Sequence, residues 1–318
     1  MKKKPLCLVA FVYGSYTQYI PFYVYSILKS YPNYYVKIFV NKKLSKVEND
    51  CLEMIRDRLS SNFEIKENYF KEFDIDNLEL SEEGKKAIRF LIPRKEFIDF
   101  ENVYFGDIDI LIVNELPSLL EGHLKHCEKT GLPYSNLVRK NSKRLTGLHF
   151  YKVKEYYDKM DEILDDYLMN KDKLVNQLLE YRWDEEFLFD IVNDGIGTKG
   201  LSGNDYRPHH GFHIGTIRHG KIEKGYLENG QNNVVHLLPN YPELKSKLAV
   251  YYRDPLFLDI LERIQNLGII KLSEIIIDRD TDQRLRKMQI RNKYRILKHN
   301  FTRARKKISK IINEKLFK

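Results

Sequence analysis

Two carboxylates two residues apart, Asp107 and Asp109, interrupt an otherwise apolar, β-prone run, Val103-Tyr-Phe-Gly-Asp-Ile-Asp-Ile-Leu-Ile-Val113. Carboxylates inside such a run are costly to bury unless positive charge meets them. Side chains at i and i+2 of a strand share a face, and a turn also converges them. Either geometry offers hard oxygen ligands suited to Mg²⁺ or Mn²⁺. A solvated turn is the blander reading; the apolar flanks and Gly106 favour the metal site. Further along, Arg89 brings an always-protonated donor fork, or else a plain surface charge on a helix. Asp184 and Glu185 stand together at an expected helix start, as reacting carboxylates or as a solvated cap. Pro208-His-His-Gly-Phe-His-Ile-Gly215 is the one histidine cluster, and any one of its imidazoles is as readily structural as metal-ligating.

The elements that must position these groups alternate. Leu6–Val12 is a continuous apolar run of strand length, typical of a buried parallel strand. Gly14 turns the chain, Ser15 or Thr17 is expected to cap a helix reaching about Ser30, and Tyr35–Val40 is a second strand. Ser45 opens a helix through Leu59, a short strand falls in 63–70, and Glu82–Pro93 reads as a helix with Ala87, Phe90 and Leu91 inward. Strand and helix in alternation predict an α/β layer, whose ligands collect beyond the carboxyl ends of the strands. Tyr13 and Asp107 both follow such ends. Later, Leu116–Thr130 reads as helix, Gly147–Val153 as extended, Glu155–Tyr181 as one long charged helical stretch and Asn193–Pro208 as loop.

A chain of 318 residues with 42% hydrophobic and 13% aromatic content buries a full core. Its net charge of +9 is unevenly spread: residues 283–318 hold 14 Lys or Arg against the single acid Glu314, which leaves the rest mildly acidic. That pattern argues against a nucleic-acid binder, which would be basic over its body. Three cysteines, Cys7, Cys51 and Cys127, lack metal-type spacing and read as reduced thiols of a cytoplasmic protein. The lysines before Leu6 imitate a signal peptide, but no cleavage site follows and no apolar run would span a bilayer. In the tail, Ile290, Tyr294, Leu297, Phe301, Ala304, Ile308 and Ile311 recur at alternating spacings of four and three among Lys and Arg. This is a basic amphipathic helix, fit to lie on an anionic membrane surface. Packing on the body or on a second copy, as a homodimer, is the alternative.

With these residues placed, the chain resembles the GT-A glycosyltransferases, especially the bacterial family 8 type. Arg89-Phe-Leu-Ile-Pro93 ahead of Val103-Tyr-Phe-Gly-Asp-Ile-Asp109 carries the resemblance, which extends over roughly residues 6–215. It implies an α/β, Rossmann-like nucleotide-sugar-binding domain over residues 1–250 and a helical basic extension over 251–318. Ala10, Phe11 and Tyr13 would cradle the uracil and ribose of a UDP-sugar, and Arg89 would contact the donor sugar or diphosphate. Asp107 and Asp109 would hold Mn²⁺ or Mg²⁺ against the phosphates. Thr146-Gly147 would meet the donor sugar, although Leu145 stands where the family has Asn. Asp184 and Glu185 would lie near the reacting carbon in place of Asp-Gln. His213 would be the third metal ligand and Arg218 a phosphate cation, with His210 and His236 as rivals to His213. The function implied is retaining transfer of a hexose, galactose or glucose, from UDP to a glycan or glycolipid of surface polysaccharide, at the inner face of the membrane. The alternatives are a non-enzymatic scaffold with a coiled-coil tail and a nucleic-acid-binding protein. An aspartyl-phosphate phosphatase is disfavoured because its Asp-x-Asp would follow the first strand.

Overall fold

A strand that is apolar on both faces belongs in the middle of a sheet covered on both sides. β1 (Lys4–Val12) takes that place in the computed structural model, with Leu6, Cys7, Leu8 and Val9 all at 0% exposure. The structure describes residues 3–71, 80–201, 206, 210–217, 242–277 and 282–295. β1 pairs in parallel with β2 (Tyr35–Val40) on one side and β4 (Phe100–Phe105) on the other, and β2 pairs in parallel with β3 (Phe63–Lys66). Two antiparallel strands, β7 (His149–Lys152) and then β6 (Tyr134–Ser135), extend the β4 edge. The six-stranded order is therefore β3-β2-β1-β4-β7-β6. β5 (Ile110–Ile112) follows β4 but stands outside this sheet.

The helices follow local signals, with departures that have visible causes. α1 (Ile20–Ser30) starts later than expected and is capped by neither Ser15 nor Thr17. Gly14, at φ +62°, begins a 3₁₀ turn over Gly14–Tyr19, and Pro21 then fills the first turn of α1. α2 (Lys46–Arg58) opens on the expected Ser45, whose hydroxyl accepts from Glu48 N–H while Glu48 accepts from Ser45 N–H. The expected helix before Pro93 is α3 (Glu82–Ala87) followed by a 3₁₀ turn over Ile88–Leu91, and Ala87, Phe90 and Leu91 are buried as read. α4 (Leu119–Thr130) begins after Ser118, which forms a second capping box, and ends on Gly131 at φ 70°.

The long stretch expected over Glu155–Tyr181 is broken into α5 (Val153–Met169) and α6 (Lys171–Glu180). Asn170 makes the break, because its side chain accepts from Lys173 N–H and caps α6. α7 (Asp184–Gly195) reaches into the segment read as loop. Cys7, Cys51 and Cys127 are free and buried.

The chain forms two compact units, Met1–Phe212 and His213–Lys318. The expected division at 250 concerns where a catalytic domain ends, which compactness does not measure. In the second unit α8 (Pro242–Tyr251), α9 (Pro255–Ile264), α10 (Leu267–Ile276) and α11 (residues 283–295) bury Leu248, Phe257, Ile269, Leu285 and Met288. In α11 the buried face carries Leu285, Met288 and Asn292, while Ile290 is 56% and Tyr294 76% exposed. The apolar stripe read from Ile290 and Tyr294 therefore starts on the uncovered side of its helix. Its remaining members, Leu297 to Ile311, lie outside the described residues.

Candidate functional site

The sheet order places a site before any side chain is considered. From β1 the chain winds outward through β2 to β3, then returns to β4 on the other side of β1. Ligands of open α/β sheets bind at that reversal, beyond the carboxyl ends of the two strands. Tyr13 follows β1 there, and Gly106-Asp107 follows β4. Gly106 N–H donates to Val9 O at 2.8 Å, so β4 stays paired up to the turn. A Cβ on Gly106 would stand 2.7 Å from Tyr23 Oη and 3.0 Å from the Tyr104 ring, so no other residue fits without displacing them. Asp107 and Asp109 follow in the loop; Asp109 is 4% exposed and the Asp107 side chain 36%.

Arg89 joins this loop to α7. Its Nη1 donates to Asp107 Oδ1 at 3.1 Å and its Nη2 to Asp184 Oδ2 at 2.8 Å. Arg89 is 8% and Asp184 6% exposed, so the cluster is desolvated and breaking it would strand a buried charge. Burial opposes the guanidinium charge, but the carboxylates of Asp184 and then Asp107 outweigh it and hold Arg89 protonated well above its ordinary range. Asp184 is the first residue of α7, where the helix dipole favours an anion. A Cβ on Gly147 would stand 2.3 Å from Arg89 Nη2, so the 147 backbone closes over the guanidinium.

Glu185 looks to a different partner. Arg139 grips it through both Nε and Nη2, and Gly147 N–H donates to its Oε1 at 3.4 Å. Burial again opposes the Arg139 charge, and Glu185 more than compensates, raising its pKa. Behind the Thr146-Gly147 turn sits Asn136, at 0% exposure. Its Oδ1 accepts from Thr146 N–H at 3.0 Å and Thr146 Oγ1 at 2.8 Å, and its Nδ2 donates to Thr146 O at 3.0 Å. Nδ2 also donates to His149 Nδ1 at 2.9 Å, and burial holds that imidazole neutral, with its pKa lowered to about 3. Tyr206 Oη lies 2.8 Å from Thr146 Oγ1. His123 and His126, read as ordinary helix residues, both meet Ser135 Oγ, at 2.8 and 2.9 Å. One hydroxyl has one proton to give, so at most one of these imidazoles accepts from it and at least one donates from Nδ1.

Arg89, Asp107, Gly147, Asp184 and Glu185 are thus brought together from positions up to about a hundred residues apart. Ala10 is buried within β1 beside Ile38, and Phe11, 8% exposed, packs on Phe70 with centroids 6.0 Å apart. Tyr13 is half-buried. His210 lies 3.4 Å from Tyr31 Oη, just past the C-terminus of α1, the end away from the β1 carboxyl terminus. His213 is half-buried and belongs to the second unit. Arg218 and His236 lie outside the described residues. Sequence reasoning missed Asn136, Arg139 and Tyr206. Arg139 sits in a run of basic residues, and Asn136 finds its partners ten residues on, so neither showed a spacing.

Among the described residues no three His, Cys, Asp or Glu side chains gather as a metal cage. The donor set still suits Mg²⁺ or Mn²⁺, because such ions are held by one or two carboxylates and complete their shell with substrate phosphates and water. A cavity of about 500 Å³ lies elsewhere, lined by Glu67–Phe70, Pro93, Glu96 and Leu168.

No protein-family model matches the chain, and no curated protein does. Solved structures similar to it include galactosyltransferase LgtC in complex with donor and acceptor sugar analogs, at 14% identity and TM-score 0.41, covering 61% of this chain and 72% of that one. The glycosyltransferase GlyE of Streptococcus pneumoniae TIGR4 is 11% identical over 88% of this chain and 66% of its own, at TM-score 0.44. The bifunctional glycosyltransferase WbbM is 12% identical over 63% and 38%, at TM-score 0.38. Likenesses this low carry no inference about chemistry, which rests on the residues of this chain.

Proposed function

We propose that the chain is a metal-dependent glycosyltransferase that moves a hexose from a UDP-sugar to a glycan or lipid-linked acceptor. The observation that carries this reading is Arg89, buried between Asp107 beyond β4 and Asp184 at the head of α7. Arg89 thereby ties Asp107, with Asp109 two residues on in the same loop, to Asp184, so that carboxylates able to hold a divalent ion stand beside an always-charged guanidinium.

In this mechanism Asp107 and Asp109 would hold Mn²⁺ or Mg²⁺, which when bound would stabilise charge on the departing diphosphate without a proton. Arg89, always protonated, supplies a fixed positive fork beside it. Asp184, oriented by Arg89 Nη2, offers a carboxylate to the donor sugar, and Glu185 is fixed by Arg139 and the Gly147 N–H. His213 as third ligand, Arg218 as phosphate cation, and retention of anomeric configuration are parts of the same proposal. So is a cytoplasmic location with residues 283–318 on the inner membrane face. Among the described residues no helix is long and apolar enough to cross a membrane.

The test is thermal stability of the whole protein with UDP, with Mn²⁺, and with both. A ligand that binds only the folded state at 100 times its Kd adds about 2.7 kcal/mol. Stabilisation by the pair well beyond either alone is expected. Equal stability under all three conditions defeats the reading, and a response to Mn²⁺-free UDP of full size removes the metal from it.

A further inference from the structure

The chain has one tryptophan, Trp183, and it stands directly before Asp184. It is 37% exposed, unusual for an indole with so much apolar surface to hide. Two guanidiniums attend it: Arg144 lies 5.5 Å and Arg182 5.3 Å from the ring centroid, both within cation–π range. Arg144 comes from a hairpin over Arg139-Lys-Asn-Ser-Lys-Arg144, four of whose six residues are basic. Val138 bridges Leu145, Arg139 N–H donates to Arg144 O at 2.8 Å, and Asn141 turns the tip at φ 56°.

The hairpin is anchored to the head of α7. Leu145 N–H donates to Glu185 O at 3.2 Å, and Glu185 takes the charge of Arg139. Lys140 and Lys143 stay exposed at the tip, and Arg182 is exposed across from it. The rim beside Asp184 thus combines a half-open aromatic ring with four cations, Lys140, Lys143, Arg144 and Arg182. Three acids adjoin the ring: Asp184 is held by Arg89, Glu185 by Arg139 with Arg144 at 3.9 Å, and Glu186 accepts from the backbone N–H of Arg182 and Trp183.

We propose that this rim is the acceptor subsite, and that its acceptor is an acidic saccharide bearing carboxylate or phosphate groups. The exposed part of the indole takes the apolar C–H face of a sugar ring, while the guanidiniums and lysines take its anions. The inference rests on the transferase reading above, since it assigns the rim its place next to the donor. An anionic lipid surface also suits basic and aromatic residues. The contiguity of Trp183 with Asp184 favours the saccharide, because a ring seated there lies against the groups proposed to hold the donor.

Because Trp183 is the single tryptophan, the fluorescence of the unmodified full chain reports this rim alone. Titration with hyaluronan tetrasaccharide is expected to give a saturable response that weakens as salt rises. Neutral chitotetraose should bind about fivefold to tenfold more weakly, and so should the hyaluronan probe to a Lys140→Gln/Lys143→Gln variant, since each exposed charge contact adds little. Equal responses to both sugars, or no response to either, overturn the proposal. So does a full response to inorganic phosphate alone, or a response confined to phosphatidylglycerol vesicles. Stabilisation by UDP with Mn²⁺, measured on the same protein, reports the donor site separately. Donor binding without a Trp183 response defeats the acceptor subsite only. A Trp183 response without donor binding leaves a saccharide site and defeats the transferase reading.

Discussion

The first unit holds two charge clusters, one centred on an acid and one on a base. Around Glu96, 8% exposed, a carboxylate is held by Lys37 and Lys66, with Tyr69 Oη donating at 3.3 Å. Glu64 joins the same lysines at 3.2 and 3.8 Å, so two cations meet two anions and the cluster closes. Around Arg89 the roles invert: one buried cation bridges Asp107 and Asp184. Both clusters centre on residues of the same stretch, 89–96. What separates them is position: Lys37, Glu64 and Lys66 belong to β2 and β3, whereas Asp107 follows the carboxyl end of β4, where ligands of such sheets collect.

The comparison is broken most directly by Arg89→Met. Removing the cation takes from the buried Asp184 carboxylate the guanidinium that holds it, a loss of about 3–5 kcal/mol that urea denaturation would read. A stability unchanged from wild type would mean the cluster is not desolvated. Next in size is Asp109→Asn, expected to cut donor turnover about 100-fold, on the scale of losing one group that stabilises transition-state charge. Here the urea midpoint should hold or rise, because an acid leaves a site already rich in them; a fall in the midpoint with full activity would reverse the assignment.

Glu96→Gln should do the opposite. It is expected to cost about 1–2 kcal/mol of stability by leaving Lys37 and Lys66 short of an anion, with donor turnover untouched. Reduced turnover would show that position does not separate the two roles. The smallest effect is expected in α11, where Arg286, Lys287, Arg291, Lys293 and Arg295 are exposed beside Ile290 and Tyr294. This is a third charge cluster, positive this time. Ile290→Ser/Tyr294→Ser should weaken sedimentation with anionic vesicles by roughly tenfold, as two partly inserted apolar side chains are lost. Both residues are exposed, so thermal stability should not move.

How much of this was legible in the sequence depends on the range of the forces involved. β1 and β2 were plain because apolar runs, broken in β2 only by Lys37, need no partner to be recognised, and Ser45 because its capping partner is three residues away. The break at Asn170 and the late start of α1 turn on side-chain and proline effects that periodicity does not weigh. Within the site, Asp107 and Asp109 stood out against their apolar flanks. Arg139 did not, because its partner Glu185 lies 46 positions away and no local pattern links them. The tail shows the converse error: a regular stripe was found, but Leu285, Met288 and Asn292 take the buried face of α11, about a half-turn from Ile290 and Tyr294.

The missing side chain of Gly147 has its own consequence. Most substitutions in the Arg89 cluster change charge and shape at once, so a lost function cannot be traced to either. A methyl group at 147 would meet Arg89 Nη2 at 2.3 Å and push it aside, while Arg89, Asp107 and Asp184 all keep their charges. Gly147→Ala is therefore a displacement with no change of charge. In such a variant, any turnover lost while UDP and metal still bind measures registration alone, the part of catalysis that comes from where a group stands.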